Sequence, residues 1–236
     1  MRIAIISDIH GNLVALCAVL HDLAQQPAID QIVIAGDLCL NGPRPKEVLE
    51  VVRALGCPVI QGNVDHETVT GAPRKGAKKR SVIGWTREQI GQEGIDYLEA
   101  LPFSHRVVNA GGNDALIVHA NPLNQEDAIF PTSPDDKLEE LLGKVEPTVG
   151  VVAFGHFHVA YMRRWRHLLL LDVGSCGLPR DQDVRASYGI LTWQAEDWQG
   201  EIRRVEYDMG EVVKQLKESN IPHVDKRIKI LTEAKY

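Results

Sequence analysis

The chain begins with an apolar run, Ile3-Ala4-Ile5-Ile6, that breaks off at Ser7-Asp8-Ile9-His10-Gly11-Asn12. A run of this composition reads as a strand buried on both faces. Such strands belong to α/β sheets, whose ligands sit just past the carboxyl ends of the strands. Asp8 and His10 stand at that edge. Alternation in an extended segment puts residues i and i+2 on one side, so both side chains are predicted to reach a single ion. An Asp and a His at a strand end also serve as turn and capping residues, and the rest of the chain has to decide between the two readings.

The same punctuation recurs. Leu13, Leu16, Val19, Leu20 and Leu23 keep helical spacing until Pro27, and Gln31 to Ala35 make a second apolar strand that closes on Gly36-Asp37. Pro45 to Leu55 is a predicted helix, and Pro58 to Gln61 a short third strand running into Gly62-Asn63-Val64-Asp65. Thr68 to Arg80 has no apolar period and carries Arg74, Lys75, Lys78, Lys79 and Arg80. It is expected to be an exposed, mobile loop, either a solvated charge run or a cationic flap over an anionic substrate. Ser81 to Leu101 predicts one or two helices, interrupted by Gly91 and Gly94, as cover for the core. Arg106 to Ala110 and Asp114 to Val118 pair as strands across Gly111-Gly112-Asn113, with His119 directly at the strand end. A helix over Pro134 to Leu142 precedes the strand Gly150 to Phe154, which delivers Gly155-His156-Phe157-His158. Leu168 to Val173, Ser187 to Trp193 and Ile202 to Tyr207 complete the strands, and the segment from Val212 to Leu231 reads as helix packed outside. No repeat or linker divides the chain, so one domain over residues 1–236 is expected.

At 236 residues, with ordinary apolar and charged fractions, the chain is long enough for a sizeable core. Its net charge of −6 argues against a broad footprint on polymeric nucleic acid, so a small anionic substrate needs a local cationic site. Cys17, Cys39, Cys57 and Cys176 have no CxxC spacing and read as small buried hydrophobes, forming neither a zinc cluster nor a disulfide framework. No secretory signal pattern and no apolar run of membrane-spanning length is present, which gives the expectation of a cytoplasmic protein without a membrane partner.

Collected together, the polar residues at strand ends are Asp8, His10, Asp37, Asn63, His119, His156 and His158. Imidazole nitrogens mixed with carboxylate and amide oxygens suit borderline divalent ions such as manganese, iron, zinc, nickel or cobalt, rather than calcium. Seven ligands are too many for one tetrahedral ion and match two ions that share a carboxylate. In the order and spacing of Asp8-Ile9-His10, Gly36-Asp37, Gly62-Asn63-Val64-Asp65, Val118-His119-Ala120 and Gly155-His156-Phe157-His158, the chain resembles the calcineurin-like metallophosphoesterase superfamily. Its small bacterial phosphodiesterase-like branch is similar in length and in the stretch from Pro179-Arg180-Asp181 to Ser187-Tyr188. The resemblance implies an α/β fold, a four-layer α-β-β-α sandwich of two mixed sheets flanked by helices. It also implies that Asp8, His10, Asp37 and His158 hold one metal, that Asp37, Asn63, His119 and His156 hold a second, and that Asp37 bridges them.

The activity so implied is hydrolysis of a small phosphodiester or activated phosphomonoester, with a hydroxide shared by two ions attacking phosphorus in line. Asp37 and His10 are then catalytic candidates as well as ligands. Asp65 is either the partner of a metal-bound histidine or a turn residue. Many relatives carry a histidine in the third block where this chain has Val64, so the usual general acid is missing. General acids contribute about 10²–10⁴-fold, and the range of good substrates narrows accordingly. His66 is the candidate substitute, or else a surface histidine. Arg180 either directs its guanidinium at a phosphoryl oxygen or makes a surface salt bridge. The competing functions are a noncatalytic scaffold on the same fold, as in a retromer subunit, a phosphoprotein phosphatase, and a nuclease. The complete ligand set speaks against the scaffold, and the absence of a G-x-S-x-G elbow against a serine hydrolase.

Overall fold

The computed structural model describes residues 1–73, 77–110 and 112–235, the side chains of residues 77–79 excepted. In chain order its elements are β1 (Arg2–Ile6), α1 (Leu13–Ala24), β2 (Gln31–Ile34), α2 (Pro45–Ala54), α3 (Asn63–Thr70), α4 (Ala77–Glu99), β3 (Ser104–Val107) and β4 (Asp114–Val118). Then follow α5 (Asp135–Leu142), β5 (Val149–Phe154), β6 (Tyr161–Trp165), β7 (Leu168–Asp172), β8 (Ala186–Gln194), β9 (Asp197–Val205), α6 (Met209–Glu218) and α7 (Val224–Glu233).

The strands form two mixed sheets, ordered β2-β1-β8-β9 and β3-β4-β5-β7-β6. In the first, β1 runs parallel to β2 and antiparallel to β8; in the second, β4, β5 and β7 are parallel and the edge strands β3 and β6 antiparallel. β1 explains its own composition. Ile3 and Ile5 enter the core between the sheets, with Ile117, Val151, Leu171 and Trp198, while Ala4 and Ile6 face Leu16, Val19 and Val48 beneath the helices. The second sheet is covered on its outer face by Leu138, Leu141 and Leu142 of α5. This is the α-β-β-α sandwich the resemblance implied. No helix among the described residues is long and apolar enough to cross a membrane.

Local differences from expectation have physical causes. The third strand is reduced to a single parallel bridge between Val59 and Ile34. Asn63-Val64-Asp65 open α3 with Gly62 at its N-cap, and Thr68 to Thr70, expected to belong to a loop, complete that helix before Gly71 (φ 69°) caps it in the left-handed region. Ala77 to Arg80 likewise begin α4 rather than continue a loop. Arg74 and Lys75 lie outside the described residues, as do the side chains of Lys78 and Lys79 and the residue Gly111 of the expected hairpin turn. α4 is two helices broken at Gly91, where φ is 65°. Strand β6 gave no apolar signal because it is an edge strand, with Met162 and Arg164 exposed. Of the cysteines, Cys39 and Cys176 are buried but Cys17 is exposed on α1; all four are free thiols. The C-terminal helices do more than pack outside. Val212, Leu216 and Leu231 meet Leu40, Val64 and Leu178, three residues beside the strand ends.

Candidate metal centre

The carboxyl ends of β1, β2, β4 and β5 converge where the two sheets meet. Asp8 N–H donates to Gly36 O at 3.0 Å, Gly155 N–H to His119 O at 2.9 Å, and His156 N–H to Asp8 Oδ2 at 2.9 Å. β1 ends at Ile6, so Asp8 and His10 are not brought together by strand alternation. Both lie in the left-handed backbone region, as do Asp37, His156 and His158, with φ between 51° and 71°. That conformation costs a non-glycine residue roughly 1–2 kcal/mol. It turns each polar side chain inward from a strand that has just ended.

The histidines are fixed by backbone carbonyls. His10 Nδ1 faces Leu40 O at 2.8 Å, His119 Nδ1 faces Ala35 O at 2.8 Å, His158 Nδ1 faces Leu178 O at 2.6 Å, and His156 Nε2 faces Glu126 O at 2.9 Å. A carbonyl only accepts, so the nitrogen facing it carries the proton and the other presents a lone pair inward. Those lone pairs converge. His10 Nε2 and His158 Nε2 are 3.1 Å apart, and Asp8 Oδ1 lies 3.0 Å from His158 Nε2 and 3.7 Å from His10 Nε2. On the other side, Asn63 Oδ1 lies 3.0 Å from His119 Nε2 and 3.2 Å from His156 Nδ1. Asp37 stands between the groups, its Oδ2 3.7 Å from His10 Nε2 and its Oδ1 3.4 Å from His119 Nε2.

Acceptors packed this closely repel one another unless a cation sits among them. Asp8 Oδ1 is buried without a hydrogen-bond donor, although Asp8 Oδ2 receives Ser7 Oγ–H at 2.6 Å as well as His156 N–H. The donor set therefore fits a divalent ion. Asp8, His10, Asp37 and His158 are all buried and offer one ligand atom each within 4.8 Å of one another. Burial pulls the His10, His119 and His156 rings down, keeping them neutral and able to ligate. Burial, and next the Asp8 charge, push Asp37 up to about 6. Burial acts to raise the Asp8 carboxyl, but the imidazoles packed against it, His158 foremost, hold it well below the usual carboxylate range.

A cleft of about 170 Å³ opens onto this group, lined by His10, Asp37, Asn63, His156 and His158 together with Asn41, Val64, Leu178 and Arg180. Asp8 and His119, both 0% exposed, lie deeper. Val64 and Arg180 thus reach the cleft and His66 does not line it. Arg180 Nη1 donates to Lys235 O at 3.0 Å. Asp65 partners no histidine: its carboxylate accepts the N–H groups of Asp37, Leu38 and Gly62. Close approach explains two glycines here. A Cβ at Gly62 would run into Asp37 Oδ1, and one at Gly155 into Asp8 Oδ2. The sequence reading missed Asn41 and the four carbonyls that set the histidine tautomers. Backbone oxygens leave no trace in a sequence, and Asn41-Gly42-Pro43 reads as an ordinary turn.

The model of the calcineurin-like phosphoesterase superfamily domain matches residues 1–196. The chain belongs to the calcineurin-like phosphoesterase superfamily. An uncharacterized protein of Methanocaldococcus jannaschii is 31% identical over 239 residues, covering 93% of each chain. The crystal structure of a metallophosphoesterase from Sphaerobacter thermophilus superposes with a TM-score of 0.81 at 29% identity over 99% of both chains. Similarity to the symmetrical bis(5'-nucleosyl)-tetraphosphatase of Pectobacterium carotovorum subsp. carotovorum is local, 32% identity over 105 residues, 38% of this chain and 37% of that protein.

Proposed function

We propose that this chain is a dinuclear metal-dependent phosphoesterase acting on a small phosphodiester or activated phosphomonoester. The observation that carries the reading is the pair of converging acceptor groups sharing Asp37, whose two oxygens face His10 and His119 respectively. In this reading Asp8, His10, Asp37 and His158 hold one ion, and Asp37, Asn63, His119 and His156 the other. Two divalent ions bound there supply positive charge for phosphoryl oxygens and a water that ionises near neutrality. The chain's own groups do the rest. The carbonyls of Leu40, Ala35, Leu178 and Glu126 keep each imidazole's lone pair aimed inward. Arg180, on the cleft wall, offers a guanidinium to a phosphoryl oxygen.

Val64 occupies the wall with an apolar side chain, so a leaving group receives no proton there. His66 follows two residues later on α3, about 200° around the helix, and is poorly placed to replace it. Substrates whose leaving group departs as a stable anion fit best. A nucleoside polyphosphate leaves in that way, which makes the dinucleoside substrate in the tetraphosphatase name a second reading. A noncatalytic scaffold has no use for five residues strained into one acceptor cluster.

The test is hydrolysis of p-nitrophenyl phosphate, bis-p-nitrophenyl phosphate, cyclic nucleotides and a dinucleoside tetraphosphate by protein loaded with manganese, nickel or magnesium. Metal-dependent turnover of at least one, lost in Asp37→Ala together with both metals by inductively coupled plasma analysis, is expected. Metal-loaded protein inert towards all of them overturns the proposal, and so does turnover indifferent to a chelator.

A further inference from the structure

Helix α7 carries a half-buried charge that the site as described leaves unexplained. Arg227 donates from Nη1 to Asn41 O at 3.1 Å and Asn41 Oδ1 at 2.8 Å, and from Nε to Pro222 O at 3.0 Å. All three partners are neutral oxygens, and burial alone pulls the guanidinium down to about 10. No carboxylate pairs with it among the described residues; desolvating a cation in this way is costly, and a simple link between a helix and a turn does not require a charge.

The object being held is informative. Asn41 sits in the left-handed region at φ 92°, directly after Leu40, whose carbonyl fixes the His10 ring. It lines the metal-facing cleft beside His10 and Asp37. It also lines, with Arg227 and His10, a second small cavity of about 20 Å³, room for one water. The guanidinium has only donors, so it selects the amide oxygen of Asn41 and refuses the opposite amide orientation. What remains for the cleft is the amide NH₂, a pair of donors. The far end of the same helix meets the same wall, where Ala234 O accepts Gln182 N–H at 2.9 Å and Lys235 O accepts Arg180 Nη1–H at 3.0 Å. α7 lies beyond residue 196, where the family match ends.

We propose that Arg227 is a positioning residue for oxyanion binding, holding Asn41 so that its side-chain N–H groups meet a phosphoryl oxygen in the cleft. The inference rests on the phosphoesterase reading and makes α7 part of the wall that selects the substrate. Asn41 supplies the contact and Arg227 fixes its direction, so the two act as one unit.

The experiment is calorimetric titration of manganese-loaded protein with inorganic phosphate, for wild type, Asn41→Ala, Arg227→Met, Arg227→Lys and the double variant Asn41→Ala/Arg227→Met. Metal content and thermal unfolding are measured on each. Losing a hydrogen bond to a charged group weakens binding about tenfold or more. Asn41→Ala and Arg227→Met are each expected to show that loss with metal content intact, the double variant to be no worse than either, and Arg227→Lys to recover part of it. If Arg227→Met does not fold, Asn41→Ala and Arg227→Lys carry the comparison. Unchanged phosphate affinity in Asn41→Ala, or losses that add in the double variant, overturn the inference. Wild-type protein that holds manganese but no phosphate overturns it as well. Phosphate binding without hydrolysis of any ester overturns the phosphoesterase reading alone, and the variants still decide this one.

Discussion

Asp65→Asn tests how the Asp37 carboxylate, the proposed bridge between the two ions, is held in place. Asp65 is fully buried in the first turn of α3; its Oδ2 accepts Asp37 N–H at 2.8 Å and Gly62 N–H at 2.9 Å, and its Oδ1 accepts Leu38 N–H at 2.9 Å. Burial, then the charge of Asp37, push its carboxyl up to about 8, while the three N–H bonds pull it down. The donors decide the matter. Three N–H donors occupy three of the roughly four acceptor sites of the carboxylate, so the pocket favours the ionised form. Asparagine can keep the Asp37 and Gly62 bonds with its carbonyl, but its NH₂ then opposes Leu38 N–H. One bond to a charged acceptor, about 1.5–3 kcal/mol, is lost, and the other two drop to neutral strength, each weaker by about 1 kcal/mol. The sum is about 4 kcal/mol, a large share of the roughly 5–15 kcal/mol that stabilises a folded protein. Urea unfolding should show a lower midpoint at unchanged m. Asp37 would lose its backbone anchor, and metal affinity should fall about 10–100-fold. A loss under about 1 kcal/mol with full metal content would show that Asp65 is held as the neutral acid, and would refute the account.

Arg180→Ala is expected to raise KM or lower kcat at unchanged metal content; unaltered kinetics on every substrate cleaved would remove it from the reaction. Val64→His should flatten the dependence of kcat/KM on leaving-group pKa across aryl phosphodiesters, with the largest gain for alkyl esters, and a slope identical to wild type would show that no proton is needed there. Asp22 ties α1 to β8 and β9 through Arg203 Nε at 2.9 Å and Tyr188 Oη at 2.6 Å, and the Arg203 hydrogen bond holds its carboxyl below the usual range. Its contribution is therefore present above the unfolded pKa of about 4 and lost as pH falls through the lower folded value. Asp22→Asn should cost about 1 kcal/mol at pH 7, the pair being partly exposed, and the difference from wild type should shrink towards pH 2; a gap that persists in acid would contradict this.

The strand-end residues were legible because each is a side chain of unusual type at a repeated place, after an apolar run. How they converge was not. Asp8 and His10 two residues apart suggested an extended segment, and the same spacing is served here by left-handed turns, a choice that tertiary hydrogen bonds make. Asp65 was read from its neighbours as a histidine partner or turn residue, whereas two of its three donors, Asp37 and Leu38, lie 28 and 27 residues away. Asn41 could not be singled out, since the group that orients it is 186 residues further on. The start of α3 was hidden because Gly62-Asn63-Val64-Asp65 carries turn-forming residues, and Asp65 turns them into a helix start by accepting the Gly62 N–H.

Five left-handed non-glycine residues would together cost on the order of 5–10 kcal/mol, as much as many whole proteins have in net stability. They persist because every one lies in a lattice that joins the two sheets. His10 N–H donates to Asp37 O at 2.9 Å and Gly11 N–H to Leu38 O at 2.8 Å, tying β1's end to β2's. Gly177 N–H donates to Asp8 O at 2.9 Å and Arg180 N–H to His158 O at 3.0 Å, tying both sheets to the loop after β7. Ser175 Oγ–H reaches Asp8 O at 2.8 Å and receives Leu178 N–H at 2.8 Å, so the carbonyl that fixes His158 is itself fixed. Relaxing any one residue to an ordinary conformation would break bonds belonging to its neighbours, and so the strain is shared rather than released. The same bonds hold the acceptors together against their mutual repulsion, so a cation that binds them has little ordering of the chain to oppose it.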